Sequence, residues 1–344
     1  MTALGSSPEV AAGLVLLAIA PALLAAPLSS CITWLSMPLL QRYALARPNA
    51  RSSHRIPTPQ GAGISVVAAT LLVAVPWAAW IHDALPLALI GSAVLIALVG
   101  LVDDIKPLPV VVRLLLQAAA VTAIVYPAPE TLRIVPALPF AFERVLIVIA
   151  GVWFVNLVNF MDGLDLMTVS EVVPTTAALG LIAWWGDLSA SAGLIATALC
   201  GATLGFAPFN KPAARVFLGD VGSLPIGLLL GWCLLDLAWR GQPAAALLLP
   251  GYYLADSTIT LFRRIIRREP FWSAHRSHFY QRATDNGFTV PQVIGEVFAL
   301  NLVLSLLAIV SVRAGSLTVT IVSLLAGAVA VAFVLRRFSR PQAS

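Results

Sequence analysis

"RVLIVIAGVWFVNLVNFMDGLD", residues 144–165, decides what kind of protein this is. Most of the stretch is aliphatic or aromatic, the composition of a helix solvated by lipid, yet it ends in two asparagines and two aspartates in a chain only 11% charged. At 100° per residue Asn156 and Asn159 share one helix face as an i, i+3 pair, Asp162 follows on the next turn, and Gly163 offers a helix stop. Such a polar stripe either glues helices together or lines a site at the membrane surface.

The whole chain has the character of that stretch. It has 344 residues, 59% of them hydrophobic, and a mean hydropathy of +0.92, far above the roughly 45–50% apolar content of soluble domains. Apolar runs near the ~18-residue length of a spanning helix recur along it. The expected spans are 12–38, 62–82, 85–102, 109–126, 144–161, 167–185, 189–208, 222–239, 243–262, 292–312 and 315–335. The expectation is an all-α, polytopic membrane protein of about eleven helices, forming one membrane-embedded domain over 1–344.

Lys and Arg orient the bundle, because cytoplasmic loops retain positive charge. With the N-terminus outside, 17 of the 21 basic residues fall on the inner face, leaving Arg133, Arg144, Arg240 and Arg313 on the other. The C-terminus is then cytoplasmic. No Lys or Arg precedes Arg42, so "LLAIAPALLAAPLSS" lacks the basic flank of a cleaved signal and is expected to stay as the first helix. The net charge of +5 is explained by this topology, and no nucleic-acid partner is expected. Cys31, Cys200 and Cys233 lack metal-type spacing and read as small hydrophobes.

On this topology the carboxylates converge. Asp103 and Asp104 end the third span, Asp162 and Asp165 follow the fifth, Asp220 precedes the eighth and Asp256 lies late in the ninth. A carboxylate at a helix centre costs ~2.5–3.5 kcal/mol on insertion scales, and less near the interface. A solvated loop charge explains any one of these. The adjacent pair in "VGLVDDIKPL" is harder to explain so, because two neighbouring carboxylates repel each other unless a cation or a proton transfer uses them.

"NKPAARVFLGDVGSLPIG", 210–227, places a Gly-Asp-x-Gly-Ser turn at the start of an apolar helix. Its glycines allow close backbone approach, Ser223 offers a cap, the helix N-terminus points amides at an anion, and Asp220 supplies a hard oxygen for a divalent metal. "RRIIRREPFWSAHRSHFYQRATDNGFT", 263–289, concentrates arginines at helical spacing, which alone reads as a headgroup-facing stripe. Within it "HRSH" lacks a third zinc ligand, so His275, Arg276 and His278 read as an oxyanion-binding cluster. "ARPNARSSHRIPTPQGAG" adds Arg51, His54 and Arg55, which positive-inside topology also accounts for.

In this order the motifs resemble the polyprenyl-phosphate N-acetylhexosamine-1-phosphate transferase family (glycosyltransferase 4). "RPNARSSHRIPTPQGAG", "DDIKPLPVVVRLLLQ", "NLVNFMDGLD", "FNKPAARVFLGDVGSLPIG" and "LADSTITLFRRIIRREPFWSAHRSHFYQRA" carry the resemblance from about residue 46 to 290. The "SHFYQRA" form of the last loop is most similar to the branch that starts lipopolysaccharide O-antigen. The chain departs from the family where Ala46 replaces a frequent Asp, where Gln60, Gly61 and Ala62 replace Arg-Gly-Gly, and where Leu166 replaces a Gly after "DGLD".

The resemblance implies transfer of a sugar 1-phosphate from a UDP-N-acetyl-amino sugar to undecaprenyl phosphate, in a multi-pass protein of the bacterial inner membrane. The active site would lie in the cytoplasmic loops 41–61, 103–109, 161–167, 209–222 and 263–291. Mg2+, with Mn2+ as an alternative ion, would be held by Asp220 and Asn159. Asp103 and Asp104 would position or deprotonate the lipid phosphate. Asn156, Asp162 and Asp165 would line the nucleotide pocket, Phe217 would stack on uracil, and His275, Arg276 and His278, with His54 of the first inner loop, would hold the donor. Membrane lipids are expected partners, and a homodimer is among the assemblies left open. The rival from another class is a secondary transporter or proton-coupled channel, which predicts acids near mid-membrane and internal pseudo-symmetry.

Overall fold

The computed structural model describes residues 8–46, 57–83, 85–269 and 275–342. The chain is helical almost throughout: α1 Pro8–Tyr43, α2 Gly63–Trp80, α3 Leu87–Ile105, α4 Val110–Val125, α5 Phe140–Met161, α6 Met167–Trp184, α7 Ala190–Asn210, α8 Asp220–Trp239, α9 Pro243–Leu248, α10 Gly251–Ile266, α11 Phe279–Asp285, α12 Val290–Ala314 and α13 Leu317–Phe338. Among the described residues nine helices are long and apolar enough to cross a membrane, with α4 a shorter apolar helix. This corrects the expected eleven at two places. The run 109–126 gives only the sixteen residues of α4, and 243–262 breaks at Leu249–Pro250 into α9 and α10. Pro250 has no amide hydrogen to continue a helix.

α8 is buried along almost its whole length, so the bundle is built around it. α3, α5 and α2 pack on its sides. Glycine sets these approaches at the end where Asp220 lies. A Cβ on Gly100 of α3 would stand 2.3 Å from the Asp220 carbonyl oxygen, and one on Gly63 of α2 would stand 2.3 Å from the Gly222 Cα. Three helix ends therefore meet almost backbone to backbone.

A two-stranded antiparallel ribbon, β1 Leu45–Ala46 and β2 Thr58–Pro59, closes over this end with Leu45 opposite Pro59 and Ala46 opposite Thr58. Gln60 then bridges in parallel to Phe217. His54, Arg51 and Arg55 lie outside the described residues.

Candidate functional site

Asp103, Asp104, Arg113, Asn159 and Asp220, which the chain separates by more than a hundred residues, meet where α3, α4, α5 and α8 come together. Asp103 accepts from the Leu108 backbone N–H (2.6 Å) and pairs with Arg113 (2.6 Å), whose same nitrogen stands 3.5 Å from Asp220 Oδ2. Asn159 donates through Nδ2 to Asp220 Oδ1 (2.7 Å) and to Ser223 Oγ (2.9 Å). One turn deeper, Asn156 donates to Oε1 of the buried Gln117 (2.6 Å). The polar stripe of 156–165 thus meets partners from other helices, as either of its two sequence readings requires.

Asp104 is engaged within the protein. Its two oxygens accept the backbone N–H groups of Asp220 and Val221, each at 3.0 Å, and Gln60 donates to Asp104 Oδ1 and to its carbonyl. The next two amides of α8, from Gly222 and Ser223, donate to the Gly219 carbonyl. All four amides at the start of α8 are satisfied within the protein, so the turn presents no free amide to an incoming anion. The anion at this helix N-terminus is Asp104 itself, and Ser223 accepts from Asn159 instead of capping the helix.

The turn after α5 is organised by residues expected to line a nucleotide pocket. Asp162 accepts from the Thr168 hydroxyl. Burial, opposed by that bond and reinforced by the nearby charges of Asp104 and Asp165, pushes its carboxyl up to about 7. Asp165 is buried and accepts the Ala214 N–H at 3.1 Å, so it ties this turn to the segment after α7. Asn210 completes the tie, accepting from the Leu166 N–H (2.8 Å) and donating to the Val216 carbonyl (3.0 Å). Leu166 itself adopts a left-handed φ of 59°, where Gly carries no steric penalty, which gives a physical reason for the Gly that the family often has there. Phe217 is half-buried, and its backbone carbonyl accepts from Gly61 and Ala62, both at 3.1 Å.

The loop bearing His275, Arg276 and His278 docks beside this turn. Tyr280 donates to the Phe160 carbonyl at 3.0 Å, and a Cβ on Gly163 would fall 2.1 Å from the Tyr280 hydroxyl. Gly163 thus makes room for the loop besides ending α5. Arg276 is held by its own short helix, reaching Thr284 (3.1 Å) and Asp285 (3.2 Å). His275 stacks on His278, and His278 is buried. The arginine stripe also divides: Arg264 is buried and pairs with Glu269 at 2.8 Å, while Arg263 lies over the Phe279 ring.

Asp220 and Asn159 suit a hard divalent ion of the Mg2+ kind, which takes one or two protein oxygens and completes its shell with waters and substrate phosphates. Asn159 uses its Nδ2 for both bonds, leaving its carboxamide oxygen for such an ion. Among the described residues no group of three His, Cys, Asp or Glu is placed to hold a metal alone. The fit is therefore to an ion bound jointly with a phosphate. Arg113, Gln117 and Gln60 are the site residues that the sequence reading missed as such. Arg113 and Gln117 interrupt the apolar run of α4 and fall within the "DDIKPLPVVVRLLLQ" motif, but nothing in either signal assigned them a role.

An apolar cavity of about 250 Å³ lies between α4, α5, α8 and the α9–α10 break, lined by Val121, Gly151, Phe154, Val155, Gly227 and Leu254 among others. Val121 is one turn beyond Gln117, and Val155 adjoins Asn156. The cavity therefore begins close beneath the polar site.

The fold and site define a polytopic membrane protein with a carboxylate and arginine centre at one end of its bundle, beside an apolar cavity. Residues 86–238 match the sequence model of "Glycosyl transferase family 4". A "Probable undecaprenyl-phosphate N-acetylglucosaminyl 1-phosphate transferase" of Bacillus subtilis (strain 168) is 24% identical over 294 residues, covering 79% of this chain and 80% of that protein. Phospho-N-acetylmuramoyl-pentapeptide-transferases of Wolbachia sp. subsp. Brugia malayi (strain TRS) and Wolbachia pipientis wMel are 41% and 43% identical over 76 residues, 23% of their own length. These similarities support the polyprenyl-phosphate hexosamine-1-phosphate transferase family, with the family model matching 86–238 and the Bacillus relative extending the likeness over 79% of the chain.

Proposed function

We propose that the protein transfers an N-acetyl-amino-sugar 1-phosphate from a UDP-sugar to undecaprenyl phosphate, giving undecaprenyl-diphospho-sugar and UMP, at the cytoplasmic face of a bacterial inner membrane. An oxygen of the lipid phosphate attacks the β-phosphorus of the donor, the phosphoanhydride bond breaks, and its bridging oxygen leaves with UMP. The convergence of Asp103, Arg113, Asn159 and Asp220 directly above an apolar cavity carries this reading. It sets charge-handling groups at the depth of a lipid phosphate and gives an isoprenoid tail an apolar path beneath it.

Bound between Asp220, Asn159 and the donor diphosphate, Mg2+ would neutralise charge and polarise the β-phosphorus. Arg113 is the protein's own cation beside that position and is suited to gripping phosphate oxygens. No side chain need remove a proton, since a phosphate with a second pKa near 6 is largely dianionic at neutral pH. Orientation of the acceptor by the Asp103–Arg113 pair is then the main contribution of that pair. The 275–285 loop, docked beside Asp162 and Gly163, would cover the donor, with Phe217 near the base. The "SHFYQRA" loop favours the first membrane step of O-antigen synthesis as the pathway.

The test is to incubate the purified protein and undecaprenyl phosphate with a panel of UDP-amino sugars and to measure both UMP and lipid product. Release of UMP with one donor, matched by lipid product, supports the proposal. Absence of UMP with every donor, in protein that still moves a solute across sealed vesicles, would establish the transporter reading instead. Reporter fusions after Arg268 and at the C-terminus should both report cytoplasm, as the charge distribution requires.

A further inference from the structure

Asp256 groups by sequence with the carboxylates of the site, but the structure places it elsewhere. It is fully buried on α10, and its two oxygens gather five donors. Oδ1 takes His278 Nδ1 (3.1 Å), the Phe279 N–H (3.0 Å) and the Thr260 hydroxyl (3.3 Å), while Oδ2 takes the Tyr252 hydroxyl (3.1 Å) and the Tyr280 N–H (3.2 Å). No arginine or lysine pairs with it among the described residues. A buried carboxylate with this donor set has one evident product: it holds the beginning of α11 and the His278 ring together.

We propose that Asp256 is a positioning residue for His278. The two backbone amides can only donate, and so can the ring nitrogen if it is to satisfy a carboxylate. The bond therefore places a proton of His278 on Nδ1 and makes Nε2 the ring atom left for a further partner, one that donates to a phosphate oxygen where Nε2 carries a proton as well. Stacking on His275 and on Tyr280, at centroid distances of 5.0 and 5.8 Å, fixes the plane of the same ring. Tyr280, whose amide Asp256 also holds, carries the hydroxyl that docks the loop on the Phe160 carbonyl. One buried side chain thus sets the tautomer of His278, its rotation and the seat of the loop against α5. The contribution to turnover rests on the reaction proposed above, whereas the tautomer does not.

The chain has four histidines, so ¹⁵N-imidazole labelling of the intact protein gives few enough signals to assign His278 from its loss in His278→Gln. The wild-type ring is expected to be protonated at Nδ1 without any substrate present. A ring whose Nδ1 carries no proton overturns the proposal, whatever reaction the protein catalyses. In Asp256→Ala, which removes both acceptor oxygens, the Nδ1–H signature should be lost and turnover should fall on the order of 10- to 100-fold, the size that loss of an outer partner carries for a metal-ligating histidine. The double variant with His278→Gln should be no slower than His278→Gln alone, because Asp256 acts through that ring. If the two losses multiply, or if Asp256→Glu restores turnover without restoring the Nδ1–H signature, Asp256 does not work through His278. A protein with the expected tautomer but no sugar-phosphate transfer would sink the proposed reaction and leave the positioning role standing.

Discussion

Asp104→Asn tests whether the second member of the acid pair serves chemistry or architecture. The substitution keeps size and shape but replaces one acceptor oxygen with an NH2 group. In either orientation that NH2 faces a backbone N–H of α8, because both carboxylate oxygens are engaged there at 3.0 Å. One hydrogen bond to a charged group is lost, about 1.5–3 kcal/mol, together with a negative charge at a helix N-terminus, about 0.3–1 kcal/mol. Relief of repulsion with Asp103 and Asp220 offsets part of this, so the expected net loss is about 2 kcal/mol. A loss of that size, localised at the helix start, corresponds to roughly 30-fold faster amide exchange. Hydrogen exchange by mass spectrometry on a peptide spanning 215–225 should read it, alongside thermal unfolding in detergent. Asp103→Asn is the control. Its carboxylate meets Leu108 and Arg113 but no amide of α8, so exchange at 220–221 should stay near wild type while turnover falls. Abolished transfer in Asp104→Asn with wild-type exchange and melting would refute the capping argument and return Asp104 to the substrate.

Asp220→Asn keeps the bond from Asn159 possible but removes the ligand charge, so turnover should fall by orders of magnitude, and Asn159→Ala should raise the Mg2+ concentration needed for UMP release. Identical Mg2+ titrations in wild type and both variants would exclude these residues from the metal site. Asp162, with a carboxyl raised from 3.8 to about 7, binds its proton more tightly folded than unfolded. Its stabilising contribution is therefore complete below about pH 4 and disappears as pH rises through about 7. Melting temperature should decline across that window, and less steeply in Asp162→Asn; an equal slope in both proteins would assign the dependence to other groups. Gly163→Ala puts a methyl where the Tyr280 hydroxyl sits, a clash of about 1–3 kcal/mol in a packed interior. It should speed proteolysis of the 275–285 loop, and adding Tyr280→Phe, which removes the clashing oxygen, should restore part of the protection.

Helix positions were legible because lipid leaves the backbone no choice: every amide must bond within its own segment, so a long apolar run is a helix almost wherever it occurs. Ten of the eleven expected spans have a single helix in the structure, and the eleventh, 243–262, is divided. Pro250 breaks the ninth run into α9, which is Ala and Leu after its first residue, and α10, which mixes Asp256, Ser and Thr into its apolar residues. The seven-residue α11 is amphipathic and short, with no apolar run to announce it. Residue types at the site were legible from the same logic in reverse, since a polar group at an apolar helix end asks for a reason. Their partners were not. That Asn156 meets Gln117, or that Asp165 meets the Ala214 amide, depends on contacts between segments about forty to fifty residues apart, which spacing within one helix does not contain.

The two aspartates of "VGLVDDIKPL" show what this implies for reading such sites. An adjacent acid pair at a membrane surface was expected to exist for a cation or a proton, because two carboxylates side by side are otherwise costly. The structure offers a different resolution for each. Asp103 meets a guanidinium, and Asp104 meets the positive end of a helix. Both are stabilised by charge, but only the first leaves its partner beside Asp220, where a phosphate or an ion would compete for it. Repulsion within the pair is thus relieved by pointing the two groups at different kinds of positive charge, one mobile and one built into the backbone. The same division holds for Asp220 against Asp256: one stands with an arginine and an asparagine at the site, and the other is fully buried with five donors around it. In an apolar bundle the carboxylates with potential for chemistry are those whose partners a substrate could replace. Those held by backbone amides instead fix where the first group stands. Loss of activity on mutation does not separate the two kinds, whereas exchange at the amides of α8 and the tautomer of His278 do.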